Sequence, residues 1–368
     1  MPAATQKSPP IQVMVVDDSA VIRGLLTRVL KEDPSIDVVA SLGNGELAVK
    51  GLARHDVDVV LLDIDMPVMD GLTALPKLLE VDPEIKVIMV SSLTLRNADI
   101  SLRALELGAA DYIPKPSSSM ELSGGVDFRD ELIRKVRSLA RARRAKTSPG
   151  RVEGAPRPAG PAAGRPIKLR QPGKVRPHVL AIGSSTGGPP ALHTFLSGIK
   201  DGGKLPILIS QHMPTKFTTI LAELIGKYTG LPSAEAKDGE VISPGHIYVA
   251  PGDYHMVVDV EGPLRVLRLN QEPPENFCRP AVDPMLRSVA KAYGSRVLTV
   301  ILTGMGVDGL KGGEEIIRAG GTVIAQDEES SVVWGMPGAV AEAGLCSAVL
   351  PLRDLAPYVL SYATGNVR

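Results

Sequence analysis

The chain of 368 residues has two cysteines, Cys278 and Cys346, one tryptophan, and only 3% aromatic residues. Two distant cysteines make no disulfide scaffold, and neither has the spacing of a metal knuckle, so a reducing compartment is expected. No stretch reaches the roughly 18 consecutive apolar residues of a bilayer span, and the first ten residues hold no apolar run of signal-peptide type. The expectation is a cytoplasmic protein without membrane insertion. Net charge is lacking too, since 41 Lys and Arg balance 41 Asp and Glu. With 44% hydrophobic and 22% charged residues the composition is that of folded globular protein. The length suggests two domains.

What is present is charge sorted along the chain. Residues 11–128 carry 19 acids and 10 bases, residues 129–176 carry 15 bases and 3 acids, and residues 177–368 carry 19 acids and 15 bases. Two acidic folded parts, 11–128 and 177–368, joined by a basic connector over 129–176 are expected. Within it, residues 141–176 hold six Pro, five Gly and eleven Lys or Arg. Such a stretch buries too little apolar surface to offset its ordering entropy, so it reads as a flexible linker leaving a basic helix near Glu131–Arg144.

Both acidic parts alternate apolar runs with helical stretches, the pattern of parallel βαβ units in doubly wound α/β sheets. In the first, Ile11–Val16, Val57–Leu62, Val87–Val90 and Ala110–Ile113 read as strands. Ala20–Leu30 has helical spacing, with Ile22, Leu25, Leu26 and Val29 on one stripe. In the second, the strands are His178–Ile182, Pro206–Ser210, Ile247–Ala250, Val297–Leu302 and Gly321–Ala325. Ala191–Leu196, Phe217–Thr229, Pro284–Tyr293 and Lys311–Ala319 read as helices.

Ligands of open parallel sheets bind outside the carboxyl ends of the strands. Asp17 and Asp18 follow the first strand and Asp63 another, while Ser91 and Lys115 follow two more. Carboxylates converging there would repel one another unless a hard cation such as Mg²⁺ held them. The set outlines a phosphoryl-acceptor pocket, with Asp63 the nucleophile, the metal and Lys115 balancing charge, and Ser91 bonding the transferred group. The motifs Val-Val-Asp-Asp-Ser, Leu-Leu-Asp-Ile-Asp-Met-Pro-Val-Met-Asp-Gly, Met-Val-Ser-Ser and Pro-Lys-Pro occur in that order. Residues 11–128 thereby resemble the receiver domain of two-component response regulators. The resemblance implies that Asp63 is phosphorylated and that Asp17, Asp18 and the Ile64 carbonyl help bind metal. It makes Ser91 and Tyr112 the switch residues and Lys115 the charge-balancing lysine.

In the second part, Gly183-Ser184-Ser185-Thr186-Gly187 lies between a strand and a helix. It reads as a phosphate cradle, a plain tight turn, or a G-x-S-x-G nucleophile turn. A nucleophile needs a base and an orienting acid. His212, in Ile-Ser-Gln-His-Met-Pro, and Asp308, in Leu-Thr-Gly-Met-Gly-Val-Asp-Gly, both follow strands at the same edge. The order Ser…His…Asp differs from the α/β-hydrolase order. With Tyr-Val-Ala-Pro-Gly and Arg-Pro-Ala-Val-Asp added, residues 177–368 resemble the catalytic domain of chemotaxis receptor methylesterases, the CheB family. The resemblance implies Ser185 as nucleophile, His212 as base, Asp308 as orienting acid, and Thr186 and Met305 at the oxyanion site. The family more often has alanine in place of Ser184.

It further implies a substrate, the glutamate methyl esters of chemoreceptors, with deamidation of receptor glutamines by the same acyl chemistry. A chemotaxis histidine kinase would be the phosphodonor, and the hydrolase would need no cofactor. The unphosphorylated receiver is expected to cover the active site. The alternative is a non-enzymatic response regulator whose C-terminal domain binds a nucleotide or a protein. A nucleic-acid output is disfavoured because residues 177–368 are acidic.

Overall fold

A computed structural model of the chain describes residues 9–92, 94–115, 126–147, 167–199 and 205–364. The chain divides into two compact units, Met1–Arg151 and Val152–Arg368.

The first unit runs β1 (Ile11–Val16), α1 (Ala20–Lys31), β2 (Ile36–Leu42), α2 (Gly45–Leu52), β3 (Val59–Asp63), α3 (Gly71–Val81), β4 (Lys86–Ser91), α4 (Leu95–Glu106), β5 (Asp111–Pro114) and α5 (Val126–Thr147). Its five strands are parallel in the order β2-β1-β3-β4-β5. Helix starts are set locally: Ser19, Asn44, Asp70 and Thr94 each accept a backbone N–H two or three residues into the following helix. The central strands are buried on both faces, β3 along its whole length, which explains their unbroken apolar runs. β2 sits at the sheet edge, with only Ile36 fully buried.

The basic helix expected near Glu131–Arg144 is longer and belongs with this first unit. Leu132, Val136, Leu139 and Ala140 form its buried stripe. Its cations meet the unit's acids: Lys135 lies 3.0 Å from Asp111, Arg137 2.6 Å from Asp33, Arg143 2.8 Å from Asp82, and Arg144 2.6 Å from Asp58. Residues 148–166 of the expected linker lie outside the described residues. Residues 167–176 run along the second unit, where Arg170 N–H donates to the Cys346 carbonyl at 2.8 Å and the Tyr362 hydroxyl donates to the Gly173 carbonyl at 2.6 Å.

The second unit runs β6 (Val179–Ser184), α6 (Gly188–Ser197), β7 (Ile207–Gln211), α7 (Phe217–Thr229), β8 (Ser233–Glu235), β9 (Ile247–Val249), β10 (His255–Glu261), β11 (Leu264–Asn270), α8 (Val282–Tyr293), β12 (Val297–Ile301), α9 (Leu310–Arg318), β13 (Thr322–Gln326), α10 (Met336–Glu342), β14 (Cys346–Leu350) and α11 (Leu352–Thr364). Seven parallel strands form a sheet in the order β14-β13-β12-β6-β7-β9-β8, and β10 and β11 make a separate antiparallel hairpin. The core gathers Val179, Leu208, Val282, Leu286, Val297 and Val323 among others.

Both sheets reverse direction beside their first strand. From β1 the chain goes outward to β2 and returns to β3 on the other side; from β6 it goes outward through β7, β8 and β9 and returns to β12. A crevice opens at the carboxyl ends of strands at such a switch point. The two crevices lie between β1 and β3 and between β6 and β12.

Candidate active sites at two switch points

In the first crevice, Asp17 and Asp63 are buried and Asp18 is exposed, and one carboxylate oxygen from each lies within 4.8 Å of the others. Lys115 Nζ sits 2.8 Å from both Asp17 Oδ2 and Asp63 Oδ1. Asp63 Oδ1 accepts the Ile64 N–H at 2.7 Å, but the buried Asp63 Oδ2 has no hydrogen-bond partner. Burial lifts the Asp63 pKa to about 6; Lys115 opposes that rise and the Asp17 charge adds to it. An orphaned buried oxygen among three hard oxygen donors fits a divalent cation such as Mg²⁺. The Ile64 carbonyl accepts the Gly71 N–H at 2.9 Å, and a carbonyl oxygen has a second lone pair.

The other expected receiver residues are placed less directly. Ser91 is buried at the end of β4, one residue beyond Val90, the register partner of Asp63. Its hydroxyl is 3.0 Å from the Ser101 hydroxyl. Tyr112 is buried and faces α5, with Lys135 Nζ 5.2 Å from its ring centroid and donating to its carbonyl at 2.7 Å.

In the second crevice, β6 ends at Ser184 and the chain turns sharply. Ser184 is fully buried, and its hydroxyl donates to Gln211 Oε1 at 2.6 Å. Ser185, the first residue past the strand, is half-buried. The loop after β12 lies against it: Ser185 N–H donates to the Thr303 carbonyl at 3.0 Å, and a Cβ on Gly304 would come within 2.9 Å of the Ser185 Cβ. Only glycine allows that approach, which sets Met305 beside the Ser185 turn. Thr186 is buried, its carbonyl accepting the Thr303 hydroxyl at 2.9 Å.

His212 follows β7, and its N–H donates to the Ser184 carbonyl at 3.1 Å. Its Nε2 is 2.7 Å from Asp308 Oδ2. A carboxylate only accepts, so Nε2 carries a proton, and Nδ1 is the basic nitrogen once the ring is neutral. Asp308 is 1% exposed and accepts four further N–H groups, from Val282 (2.6 Å), Asp283 (2.9 Å), Gly309 (2.9 Å) and the Asn276 side chain (2.9 Å). Burial works against its charge, but the His212 contact and these donors hold its pKa below the usual carboxylate value. Burial also disfavours charge on His212; the Cys278 sulfur and the Asp308 carboxylate outweigh it and lift the His212 pKa to about 10.

Three residues enter the site without having been assigned a role in it from the sequence. Gln211, inside Gln-His-Met-Pro, donates from Nε2 to the carbonyls of Ser185 (3.0 Å) and His212 (3.2 Å). A Cβ on Gly188 would fall 1.9 Å from Gln211 Oε1, so glycine there makes room for the amide. Asn276 Nδ2 bridges Asp308 Oδ1 and, at 3.1 Å, Asp283 Oδ2. Asp283, of Arg-Pro-Ala-Val-Asp, also accepts the N–H of Gly309 (3.0 Å) and Gly312 (2.7 Å). Burial and the Asp308 charge push the Asp283 pKa up to about 6. The motifs holding Gln211 and Asp283 were visible in sequence, Asn276 lay in none of them, and the pairing across 25 to 32 residues was not legible.

An acid-lined β2-β1-β3-β4-β5 sheet joined in one chain to a seven-stranded α/β unit defines a response regulator with an α/β output domain. Residues 13–127 match the response regulator receiver domain and residues 180–359 match the CheB methylesterase family. The chain is 60% identical over 366 residues to the protein-glutamate methylesterase/protein-glutamine glutaminase 1 of Paramagnetospirillum magneticum, covering 96% of each chain. It is 60% identical over 369 residues to the protein of that name from Rhodospirillum rubrum, covering 96% of this chain and 95% of that one. The Thermotoga maritima CheB methylesterase catalytic domain is 40% identical, with a TM-score of 0.49, covering 51% of this chain and 99% of that one. This chain belongs to the CheB family of response-regulator methylesterases. Among the described residues no helix is long and apolar enough to cross a membrane.

Proposed function

We propose that the chain is a phosphorylation-activated serine hydrolase that removes methyl esters from glutamate side chains of chemoreceptors and deamidates receptor glutamines. The observation that carries this reading is 60% identity, across 96% of the chain, to a protein-glutamate methylesterase/protein-glutamine glutaminase. The alternative of a purely binding output domain is not favoured at that level of identity.

In this reading Ser185 Oγ attacks the ester carbonyl and gives its proton to His212 Nδ1, while Asp308 steadies the imidazolium from the Nε2 side. Backbone N–H groups at Thr186 and Met305 stabilise the oxyanion. The alkoxide leaves as methanol on taking the proton from His212, and water then cleaves the acyl-serine by the same route, releasing glutamate. A glutamine substrate follows the identical path with ammonia as leaving group. The hydrolase draws on no cofactor.

Asp63 accepts a phosphoryl group from a chemotaxis histidine kinase. Asp17, Asp18 and Asp63 would hold Mg²⁺, which when bound offsets the charge of the incoming phosphoryl oxygens. Lys115 steadies the same charge, and Ser91 and Tyr112 report it to the surface. Phosphorylation relieves inhibition by the receiver through a population shift. The regulatory domain takes in α5, residues 167–176 go with the catalytic unit, and the enzyme works in the cytoplasm. Methanol release from methylated receptor, with and without a small phosphodonor, tests the reading; a folded, phosphorylated protein that releases none refutes it.

A further inference from the structure

The two peptides whose N–H groups receive the oxyanion in this reading are held in the same way. The Thr186 N–H belongs to the Ser185–Thr186 peptide, whose carbonyl accepts two donors, the Gly188 N–H at 2.7 Å and Gln211 Nε2 at 3.0 Å. The Met305 N–H belongs to the Gly304–Met305 peptide, whose carbonyl also accepts two, the Gly335 N–H at 3.0 Å and the Met336 N–H at 2.8 Å. Neither peptide is cis, and in a planar trans peptide the N–H points opposite to the C=O. Pinning each carbonyl therefore aims each N–H away from its anchors, and it polarises the amide so that the N–H donates more strongly.

Thr303 ties the two loops to each other. It lies two residues past β12, is 1% exposed, and is bonded at every polar atom. Its carbonyl accepts the Ser185 N–H at 3.0 Å, and its N–H donates to Oε1 of the buried Gln326 at 2.8 Å. Its hydroxyl accepts the Val333 N–H at 3.0 Å and has the Thr186 and Val333 carbonyls at 2.9 and 3.1 Å. A hydroxyl has one proton to give, and the Val333 carbonyl already receives the Gly304 N–H at 3.0 Å. The proton therefore goes to the nearer Thr186 carbonyl. Thr303 thus holds the nucleophile turn on both sides of the Ser185–Thr186 peptide, by the N–H that precedes it and the carbonyl that follows it. Its own chain runs directly on into the Gly304–Met305 peptide.

We propose that Thr303 is a positioning residue for the oxyanion site, its buried hydroxyl and backbone fixing the Thr186 N–H relative to the Met305 N–H. Charge on the reacting oxygen is largest in the tetrahedral transition state. An error in the spacing of the donors therefore lowers kcat and leaves ground-state binding of the substrate nearly untouched. The inference rests on the methylesterase reading above and goes beyond it in naming what sets the two donors.

The test uses full-length protein with a small phosphodonor. Methanol release from methylated receptor gives kcat and KM, and a fluorophosphonate at saturation counts competent Ser185 sites. A peptidyl trifluoromethyl ketone, which forms a tetrahedral oxyanion adduct on the serine, gives an inhibition constant. Thr303→Val keeps the shape and removes the hydroxyl. Its kcat per labelled site should fall about tenfold to a hundredfold, less than outright loss of a donor costs, with KM within about threefold of wild type. The ketone should lose affinity by the same factor as kcat/KM, as binding that tracks the transition state does. Thr303→Ser should recover most of both losses. Thr303→Cys, a weaker donor, should fall between the two and serves where the valine variant does not fold. A role in stability alone would lower the number of labelled sites and leave kcat per site and ketone affinity at wild-type values. That result overturns the inference, as does a loss that appears in KM. Wild-type protein that labels at Ser185 but releases no methanol overturns the methylesterase reading, while the ketone affinities of the variants still decide the role of Thr303.

Discussion

Replacing Gln211 by alanine should cost both stability and turnover, whereas replacing its partner Ser184 should cost stability alone. The Gln211 amide is 2% exposed and makes three hydrogen bonds, accepting from the Ser184 hydroxyl at 2.6 Å and donating to the Ser185 and His212 carbonyls at 3.0 and 3.2 Å. In Gln211→Ala the Ser185 carbonyl keeps the Gly188 N–H at 2.7 Å, but the Ser184 hydroxyl and the His212 carbonyl lose the amide. Two stranded groups, one buried and one part-buried, at about 1–3 kcal/mol each give a loss of roughly 2–6 kcal/mol before any cavity term. Turnover should fall about tenfold to a hundredfold, because the amide ties the backbone of the nucleophile to that of the base, and a shift of ~1 Å is costly there. Ser184→Ala strands only Gln211 Oε1, so about 1–2 kcal/mol is lost and kcat stays near wild type. Urea midpoints of the C-terminal unit at constant slope, kcat on methylated receptor, and a double-mutant cycle check this. Gln211→Ala with stability within about 0.5 kcal/mol of wild type and unchanged kcat would refute the argument. Loss of turnover in Ser184→Ala would move the nucleophile to that residue.

Further outcomes follow from the same geometry. Ser185→Ala and His212→Ala should each lower methanol release at least about a thousandfold, with Asp308→Asn somewhat milder and still folded; near-normal turnover in Ser185→Ala sinks the assignment. Because charge on His212 is favoured up to about pH 10, kcat/KM should climb on the alkaline side as the imidazole sheds its proton. Cys278→Ala removes a group that favours the protonated ring, so that limb should move to lower pH, and an unmoved limb in the pH profile contradicts the contact. Asp63→Asn should abolish activation by a phosphodonor while leaving basal methanol release about unchanged, and protein lacking residues 1–147 should exceed the basal rate of unphosphorylated full-length enzyme. If that truncated enzyme is no faster, simple inhibition is wrong.

Much of the fold was legible because the central strands are buried on both faces and read as apolar runs. Val59–Asp63, Ile207–Gln211 and Val297–Ile301 lie within a residue or two of where their sequences place them. β2 escaped because an edge strand mixes Asp37 and Ser41 into a half-exposed face. The hairpin β10–β11 escaped because one face carries Asp259, Glu261 and Arg268, so no apolar run stands out. The basic segment misled for a different reason. Counting charge along the chain assigns the basic helix to a connector between domains, while in space Lys135, Arg137, Arg143 and Arg144 close onto acids 24 to 104 positions earlier.

The residue types at the strand ends were legible without any structure: Asp17, Asp18 and Asp63 in one unit, Ser185, His212 and Asp308 in the other. Strand ends are punctuated locally, by the switch from apolar run to polar or glycine-rich turn, and short-range pattern is what a sequence displays. The fold sets two adjacent serines of identical chemistry in different surroundings. Ser184 is the last strand residue and its hydroxyl is buried against Gln211, while Ser185 is the first residue the strand releases. Only the tertiary structure brought Asn276 and Asp283 to Asp308, because hydrogen bonds spanning 25 to 32 residues depend on how α8 and the loop after β12 close on each other. Periodicity carries no record of that closure; it is settled by packing at the switch point, where strands distant in sequence lie side by side.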